Sequence, residues 1–269
     1  MISSLDFWQV DAFTTDPFKG NPAAVLVLYQ ELSDELMQSI AVEMNLSETA
    51  FVLIRKDEPP LLRWFTPNFE IDLCGHATLA SGHILMSEIY SDLNEIVFDT
   101  KFVGPISVVK TLKGYCMDFP SRLGEKQDLK DIPDFLLDAI TSAARPHTVY
   151  KSRDLMLVYE DEQVIYDIDP DFSLLKKFDD FIIVTAKSKD SKYDFVSRFF
   201  CADDGISEDP VTGSSHSTLA PYWAKIFDKN VLKAYQASKR GGELWLEVRE
   251  NRVMIEGEAV TVITGKINF

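Results

Sequence analysis

The chain has 269 residues, of which 46% are hydrophobic, so it can form two cores of ordinary domain size. Its 43 acidic and 27 basic residues give a net charge of −16, which argues against nucleic acid or an anionic membrane as partner. The N terminus shows no charged-then-apolar leader, no apolar run could span a bilayer, and three cysteines are too few for a disulfide framework. We therefore expect a soluble cytoplasmic protein.

The first predicted elements are a strand at 24–29, a helix at 33–45 and a strand at 49–54. The helix repeats apolar residues every three to four positions, and Ser33 is its expected N-cap. The second half gives the same order of strand, helix and strand over the segments 163–168, 171–178 and 181–186. Further alternating strands are predicted over 96–100, 106–110, 115–119, 148–151, 155–159, 244–249 and 253–256.

Two further helices are predicted over 75–90 and 213–227, and both are apolar on nearly all sides. A helix of this kind belongs in the middle of a domain. We therefore expect a mixed α/β fold in which each of two halves wraps a curved mixed sheet around one central helix. The polar stretch 120–134 predicts the boundary, giving halves 1–120 and 121–269, and the C-terminal strand is a candidate to complete the first half.

The two halves also share sequence. Arg63-Trp64-Phe65 matches Arg198-Phe199-Phe200 at an offset of 135 residues, and the helix start 75–80 matches 215–220 at an offset of 140. In both copies a strand leads through a polar loop into a helix. The loops differ while the helix starts agree, so the chemistry is expected in the loops, where two paired halves can build one site.

The chain resembles the PhzF family, which is named for a phenazine-biosynthesis isomerase and is related to the diaminopimelate epimerases. The resemblance is carried by the segments DAFTTDPFKGNPAAV (11–25), NLSETAFV (45–52), FTPNFEIDLCGHATLASG (65–82), EDPVTGSSH (208–216) and LAPYWAK (219–225), and it covers nearly the whole chain. It implies two pseudo-symmetric α/β halves with the active site in a cleft between them, often in a homodimer.

The resemblance assigns catalytic roles to three residues. From the residues alone, Glu48 reads as a solvated carboxylate in a turn, and Asp209 as a helix cap. Glu48 matches the family's general acid/base, for which partial burial is useful because desolvation raises a carboxyl pKa. His76 and Asp209 match residues that position the substrate or carry the proton, and both stand close to a predicted helix start.

A second group of residues is expected to bind the substrate. Gly75, Gly213 and Ser214 precede or open the two central helices, where free backbone N–H groups attract anionic oxygens. By resemblance Asn21 faces the substrate, although Gly20-Asn21-Pro22 alone indicates a turn, and Ser47 either binds substrate or caps its turn. Three histidines remain: His83 is interpreted as a packed polar side chain, His216 as a neighbour of the site, and His147 has no motif around it.

Cofactors are not indicated. The sequence contains no G-x-G-x-x-G and no P-loop, and its histidines have no cysteine or carboxylate partners at metal-ligand spacing, so we expect neither nucleotide nor metal. Cys74 takes the position of the first thiol of the two-thiol epimerases, but the second copy has no counterpart, because Cys201 lies eight residues too early. A two-thiol mechanism is therefore rejected, and Cys74 is interpreted as a packed residue or a neighbour of the site.

These observations together predict a PhzF-type isomerase that shifts a proton on a small carboxylate substrate without cofactor or metal. A single-base epimerase or racemase needs the same groups and remains open. A non-catalytic protein that binds small molecules and retains the fold is the alternative from another class.

Overall fold

The computed structural model describes residues 4–203 and 206–269 and shows a mixed α/β protein, as predicted. The strands are β1 Ser4–Ala12, β2 Asn21–Leu28, β3 Glu48–Leu53, β4 Leu61–Phe65, β5 Glu70–Ile71, β6 Glu95–Thr100, β7 Ile106–Thr111, β8 Gly114–Pro120, β9 Glu125–Gln127, β10 Thr148–Lys151, β11 Leu155–Tyr159, β12 Ile182–Lys187, β13 Phe195–Asp203, β14 Ile206–Asp209, β15 Val231–Gln236, β16 Gly242–Arg249, β17 Arg252–Gly257 and β18 Ala259–Asn268. The helices are α1 Asp34–Met44, α2 Gly75–Ile84, α3 Asp134–Ile140, α4 Glu162–Asp167, α5 Phe172–Leu175 and α6 His216–Phe227, with a π-helical turn at Leu85–Ile89 and a 3₁₀ turn at Leu129–Asp131.

The chain forms two compact units. The first comprises the described residues up to Asp118 together with Ile255–Phe269, and the second comprises Phe119–Met254. The expected second half ran to residue 269, with the C-terminal strand as a candidate to complete the first half, and the last fifteen residues lie in the first unit. The cause is strand pairing, because β18 runs antiparallel to β1 along the whole of Ser4–Ala12. Backbone hydrogen bonds to an existing strand decide where a terminal segment belongs.

The sheets of the two units repeat one pattern. In the first unit β2 is parallel to β3, β3 antiparallel to β4, β4 parallel to β6, and β6 antiparallel to β7. In the second unit β11 is parallel to β12, β12 antiparallel to β13, β13 parallel to β15, and β15 antiparallel to β16. In both units one central helix, α2 or α6, forms the crossover between the last parallel pair.

The duplicated arginines build the same brace in each unit. Arg63 binds Glu70 through Nε and Nη2, at 2.6 and 2.8 Å, and its guanidinium lies over the Phe65 ring. Arg198 binds Glu208 through the same two nitrogens, at 2.7 and 2.8 Å, and lies over the Phe200 ring. Each brace ties a strand to the short strand that leads into the central helix.

The core of the first unit follows its sequence patterns closely. Ser33 caps α1 by accepting a hydrogen bond from the N–H of Leu36, as predicted. The apolar stripe of α1 buries Met37, Ile40 and Ala41 against the sheet. Every residue of α2 from Gly75 to Gly82 is buried, which confirms that a helix apolar on all sides lies at the centre.

One predicted strand is a helix in the structure. The segment 163–168 was expected to be a strand, but it lies in helix α4, which begins after Asp161, whose carboxylate accepts a hydrogen bond from the N–H of Gln163. The strand that corresponds to β2 is β11, a few residues earlier. Short apolar runs do not separate strand from helix by periodicity, and here the capping aspartate decides.

Candidate active site

The first unit brings Glu48 and His76 together, 28 positions apart in sequence. Glu48 is the first residue of β3, which follows the α1 C-cap Asn45 in its left-handed conformation. His76 is the second residue of α2. The Nε2 atom of His76 lies 3.1 Å from Oε2 of Glu48, with the side chains 4% and 15% exposed. Neither atom has an aligned hydrogen-bond partner among the described residues, so both retain capacity to bind a ligand.

The other edge of the His76 ring is also contacted. Nδ2 of Asn21 lies 3.0 Å from Nδ1, and Sγ of Cys74 lies 3.4 Å from the same nitrogen. Burial, and next the Glu48 charge, raise the pKa of Cys74 to about 11, so its thiol is protonated near neutral pH. Burial lowers the pKa of His76. The protonated Cys74 thiol carries no charge, and the Glu48 carboxylate beside Nε2 holds the His76 pKa above its usual value of 6.5.

The cluster also changes one expectation about metals. Histidines without cysteine or carboxylate partners were expected, yet ligand atoms of Glu48, Cys74 and His76 lie within 4.8 Å of one another. These three side chains are a donor set that zinc accepts. Spacing along the chain could not reveal the group, because Glu48 comes from a separate strand. Both ring nitrogens already face protein groups, so a bound ion would have to displace at least one of these contacts.

The remaining first-unit candidates lie close to this cluster in the chain. Gly75 is the buried first residue of α2, so its N–H lies in the first helical turn, where the backbone offers no acceptor from a preceding turn. Ser47 is half-buried beside Glu48 in the turn before β3. His83 is a packed polar residue, as interpreted, because its ring nitrogens contact the hydroxyls of Tyr115 and Thr261, each at 3.0 Å.

Asp209 lies in a hydrogen-bond network of the second unit. It is the last residue of β14, and Oδ2 accepts a hydrogen bond from the Thr212 hydroxyl. Gln236, which is fully buried at the end of β15, donates to the Asp209 carbonyl at 2.8 Å and accepts from the Thr212 N–H at 2.8 Å. Sequence reasoning missed Gln236 and Thr212, because no motif marks the end of β15 as a neighbour of this loop.

The turn after Thr212 differs from the expected helix start. Helix α6 begins at His216, so Gly213 and Ser214 lie in the turn before it. Oγ of Ser214 accepts a hydrogen bond at 3.1 Å from Arg153, a residue that sequence reasoning also missed. His216 is fully buried, and its Nδ1 donates to the Thr212 carbonyl at 2.8 Å. Burial lowers the pKa of His216 to about 4, so this ring is a neutral support of the turn.

Comparisons with known proteins place these features in a family. The family model for phenazine biosynthesis-like proteins matches residues 10–265. An uncharacterised isomerase from Halalkalibacterium halodurans is 46% identical over 263 residues, which is 97% of each chain. The crystal structure of a PhzF-family phenazine biosynthesis protein from Enterococcus faecalis superposes with a TM-score of 0.92 at 43% identity, covering 99% of this chain and 100% of the other.

A more distant neighbour defines the fold class. A hydroxyproline epimerase from Agrobacterium vitis is 12% identical and superposes with a TM-score of 0.60 over 99% of this chain and 93% of its own, a likeness of fold alone. The fold is therefore the epimerase-like α/β fold. Within that class, the chain belongs to the PhzF family of phenazine biosynthesis-like proteins. Among the described helices, none has the length and apolar character needed to cross a membrane.

Proposed function

We propose that this protein is an isomerase of the PhzF type that shifts a proton on a small carboxylate-containing substrate by acid/base catalysis, without cofactor or metal. The observation that carries the proposal is the buried contact between Glu48 and His76, 3.1 Å apart, in which both facing atoms retain bonding capacity. A carboxylate and an imidazole in hydrogen-bond reach are the commonest general acid/base groups of enzymes. Relatives that are named isomerases support the reaction class.

In the proposed reaction Glu48 takes a proton from an activated carbon of the substrate. The electron pair of the broken C–H bond moves into a conjugated enolate-like system, and the resulting carboxylic acid returns the proton to another carbon. His76 holds the proton on its own ring toward Glu48 or toward the substrate oxygen that gains charge. The backbone N–H of Gly75, together with Ser47, binds the anionic oxygens of the substrate.

The second-unit residues enter the proposal through the family resemblance. Asp209 is assigned to the same reaction, and Gly213 and Ser214 to binding of the substrate carboxylate. Arg153, which donates to Ser214, brings to this turn a guanidinium that is also paired with the buried Asp154 carboxylate. The test is Asp209→Asn, for which we expect reduced turnover. Full turnover in that variant would remove Asp209 from the mechanism and leave the assignment of Glu48 standing.

The test of the function is hydrogen exchange. The protein is incubated in deuterium oxide with a panel of small carboxylic and amino acids, and deuterium uptake is followed by NMR. Glu48→Gln should abolish exchange, a loss of about 10²–10⁴-fold or more, because the amide keeps the shape but cannot transfer a proton. Glu43→Gln, an exposed glutamate on α1, is the matched control. Near-wild-type exchange in a folded Glu48→Gln variant would contradict the proposal.

The same experiment separates the two alternatives. An isomerase places deuterium on a second carbon and moves a double bond, whereas a single-base epimerase places it on the original stereocentre. A non-catalytic binding protein would bind a panel member without exchange. For the assembly we propose a cytoplasmic homodimer, by family resemblance, and light scattering of the purified chain measures its mass.

A further inference from the structure

Asn21 has a position that suggests more than substrate contact. It is the first residue of β2, its side chain is fully buried, and its Nδ2 lies 3.0 Å from Nδ1 of His76. The chain enters β2 through Gly20 at φ +60°, where an added Cβ would lie 2.1 Å from the Ala12 carbonyl oxygen. Only glycine fits there, so the approach of Asn21 to His76 is fixed by the backbone.

The contacts at the two edges of the His76 ring are of opposite kinds. Nδ1 faces the Asn21 amide nitrogen at 3.0 Å and the Cys74 sulfur at 3.4 Å, both of which carry hydrogen. Nε2 faces a Glu48 carboxylate oxygen at 3.1 Å, which accepts hydrogen. Cys74 and Glu48 are the titratable side chains that act on the ring. A neutral imidazole carries one hydrogen, and these neighbours favour it on Nε2.

We propose that Asn21 is a positioning residue that keeps the transferable proton of His76 on Nε2, facing Glu48, and that it is not a ligand of the substrate. The cationic ring carries hydrogen on both nitrogens, so an amide nitrogen facing Nδ1 favours the neutral ring. In that neutral ring the hydrogen on Nε2 faces Glu48. This inference rests on the proposed function for its purpose, but its physical content can be measured without any substrate.

The first measurement is the tautomer of His76. The chain has four histidines, so long-range ¹H–¹⁵N spectra of protein labelled at histidine are simple, and His76→Gln assigns the signal. At a pH above the His76 pKa, the neutral ring should carry its hydrogen on Nε2 in the wild-type protein. Hydrogen on Nδ1 instead would overturn the proposal. The tautomer is measured in the wild-type protein, and the result does not depend on the exchange assay of Glu48→Gln.

The second measurement is the direction in which Asn21→Ala moves the His76 pKa. Loss of an amide donor to Nδ1 destabilises the neutral ring, so its pKa should rise by about 0.4–1 pH unit, the equivalent of one hydrogen bond. An unchanged or lowered pKa would contradict the assignment. The His83 signals report folding, because that ring is held by Tyr115 and Thr261. Asn21→Ser serves if the alanine variant does not fold.

The third measurement separates positioning from substrate binding once exchange is observed. A positioning residue acts on the chemical step, so Asn21→Ala should lower kcat by about 10–100-fold with KM nearly unchanged. A residue that binds the substrate equally in the ground and transition states would instead raise KM with kcat preserved. A rise in KM with an unaltered His76 tautomer and pKa would return Asn21 to the role of a substrate ligand.

Discussion

Replacing Arg198 with methionine should destabilise the protein more than the same change at Arg63, although the two arginines occupy matching positions of the repeat. Arg198 has a side chain only 10% exposed, and it donates to the Ile165 and Ile168 carbonyls as well as to Glu208. Among the residues described, no other cation contacts Glu208, so Arg198→Met leaves a largely buried carboxylate and two carbonyls unpaired. Breaking such a pair costs about 3–5 kcal/mol.

The first-unit brace retains a substitute cation. Glu70 also binds Lys101, whose Nζ lies 2.7 Å from Oε2, and the second partner of Arg63 is Asp34, which is 63% exposed. These contacts hold the pKa of Glu70 below its usual value despite burial, so the group is ionised at neutral pH and still paired in Arg63→Met. The expected cost is about 1–3 kcal/mol, that of losing hydrogen bonds to charged groups.

Urea denaturation followed by tryptophan fluorescence measures both free energies of unfolding. Each unit contains two of the four tryptophans, so the signal reports on both. Replacing both partners, in Arg198→Met with Glu208→Leu, should recover the part of the loss that comes from the unpaired carboxylate. The Ile165 and Ile168 carbonyls remain unpaired in the double variant. An Arg63→Met variant that loses as much stability as Arg198→Met, or an Arg198→Met cost below about 1 kcal/mol, would refute the reasoning.

Three further outcomes are expected. Tyr159→Phe should raise the free energy of unfolding by about 1 kcal/mol in the same assay, because the buried hydroxyl lacks a partner among the described residues. Burial raises the pKa of Glu243, but hydrogen bonds from Lys192, Lys233 and Tyr193 outweigh burial and lower that pKa to about 2. The stability that these contacts supply above pH 4.5 is therefore lost as the pH falls toward 2, and Glu243→Gln should flatten that loss in acid titrations. Cys74→Ala should retain turnover within about tenfold, and turnover should survive EDTA; a loss on chelation would show that the Glu48–Cys74–His76 group holds a working ion.

The sequence alone determined the class of fold, the internal repeat and the places where chemistry was expected. These features are local or periodic. Ser33 caps its helix because a serine oxygen reaches the N–H of Leu36 within one turn. The position of α2 at a core follows from its apolar residues on every side. The match between the Arg63 and Arg198 segments is present in the sequence itself and indicates the repeat.

Local sequence patterns did not predict the structure where a capping residue set the type of element or where a distant strand set the place of a segment. The segment 163–168 is apolar enough for a strand, yet Asp161 caps it as a helix. Helix α6 begins three residues later than predicted, because Gly213 and Ser214 form a turn first. The C-terminal strand was only a candidate to complete the first half, because its place depends on pairing with β1 at the opposite end of the chain.

The partners of the site residues were decided only by the tertiary structure. Glu48 and His76 were each singled out from the sequence, but their 3.1 Å contact requires the start of β3 to lie beside the start of α2. Cys74 was interpreted as a packed residue or a neighbour of the site, and it contacts the same ring, as does Asn21. Gln236, which holds Asp209 and Thr212, had no sequence signal at all. Hydrogen bonds and pKa shifts depend on distances of a few ångströms between separate elements, and the chain specifies those distances only by folding.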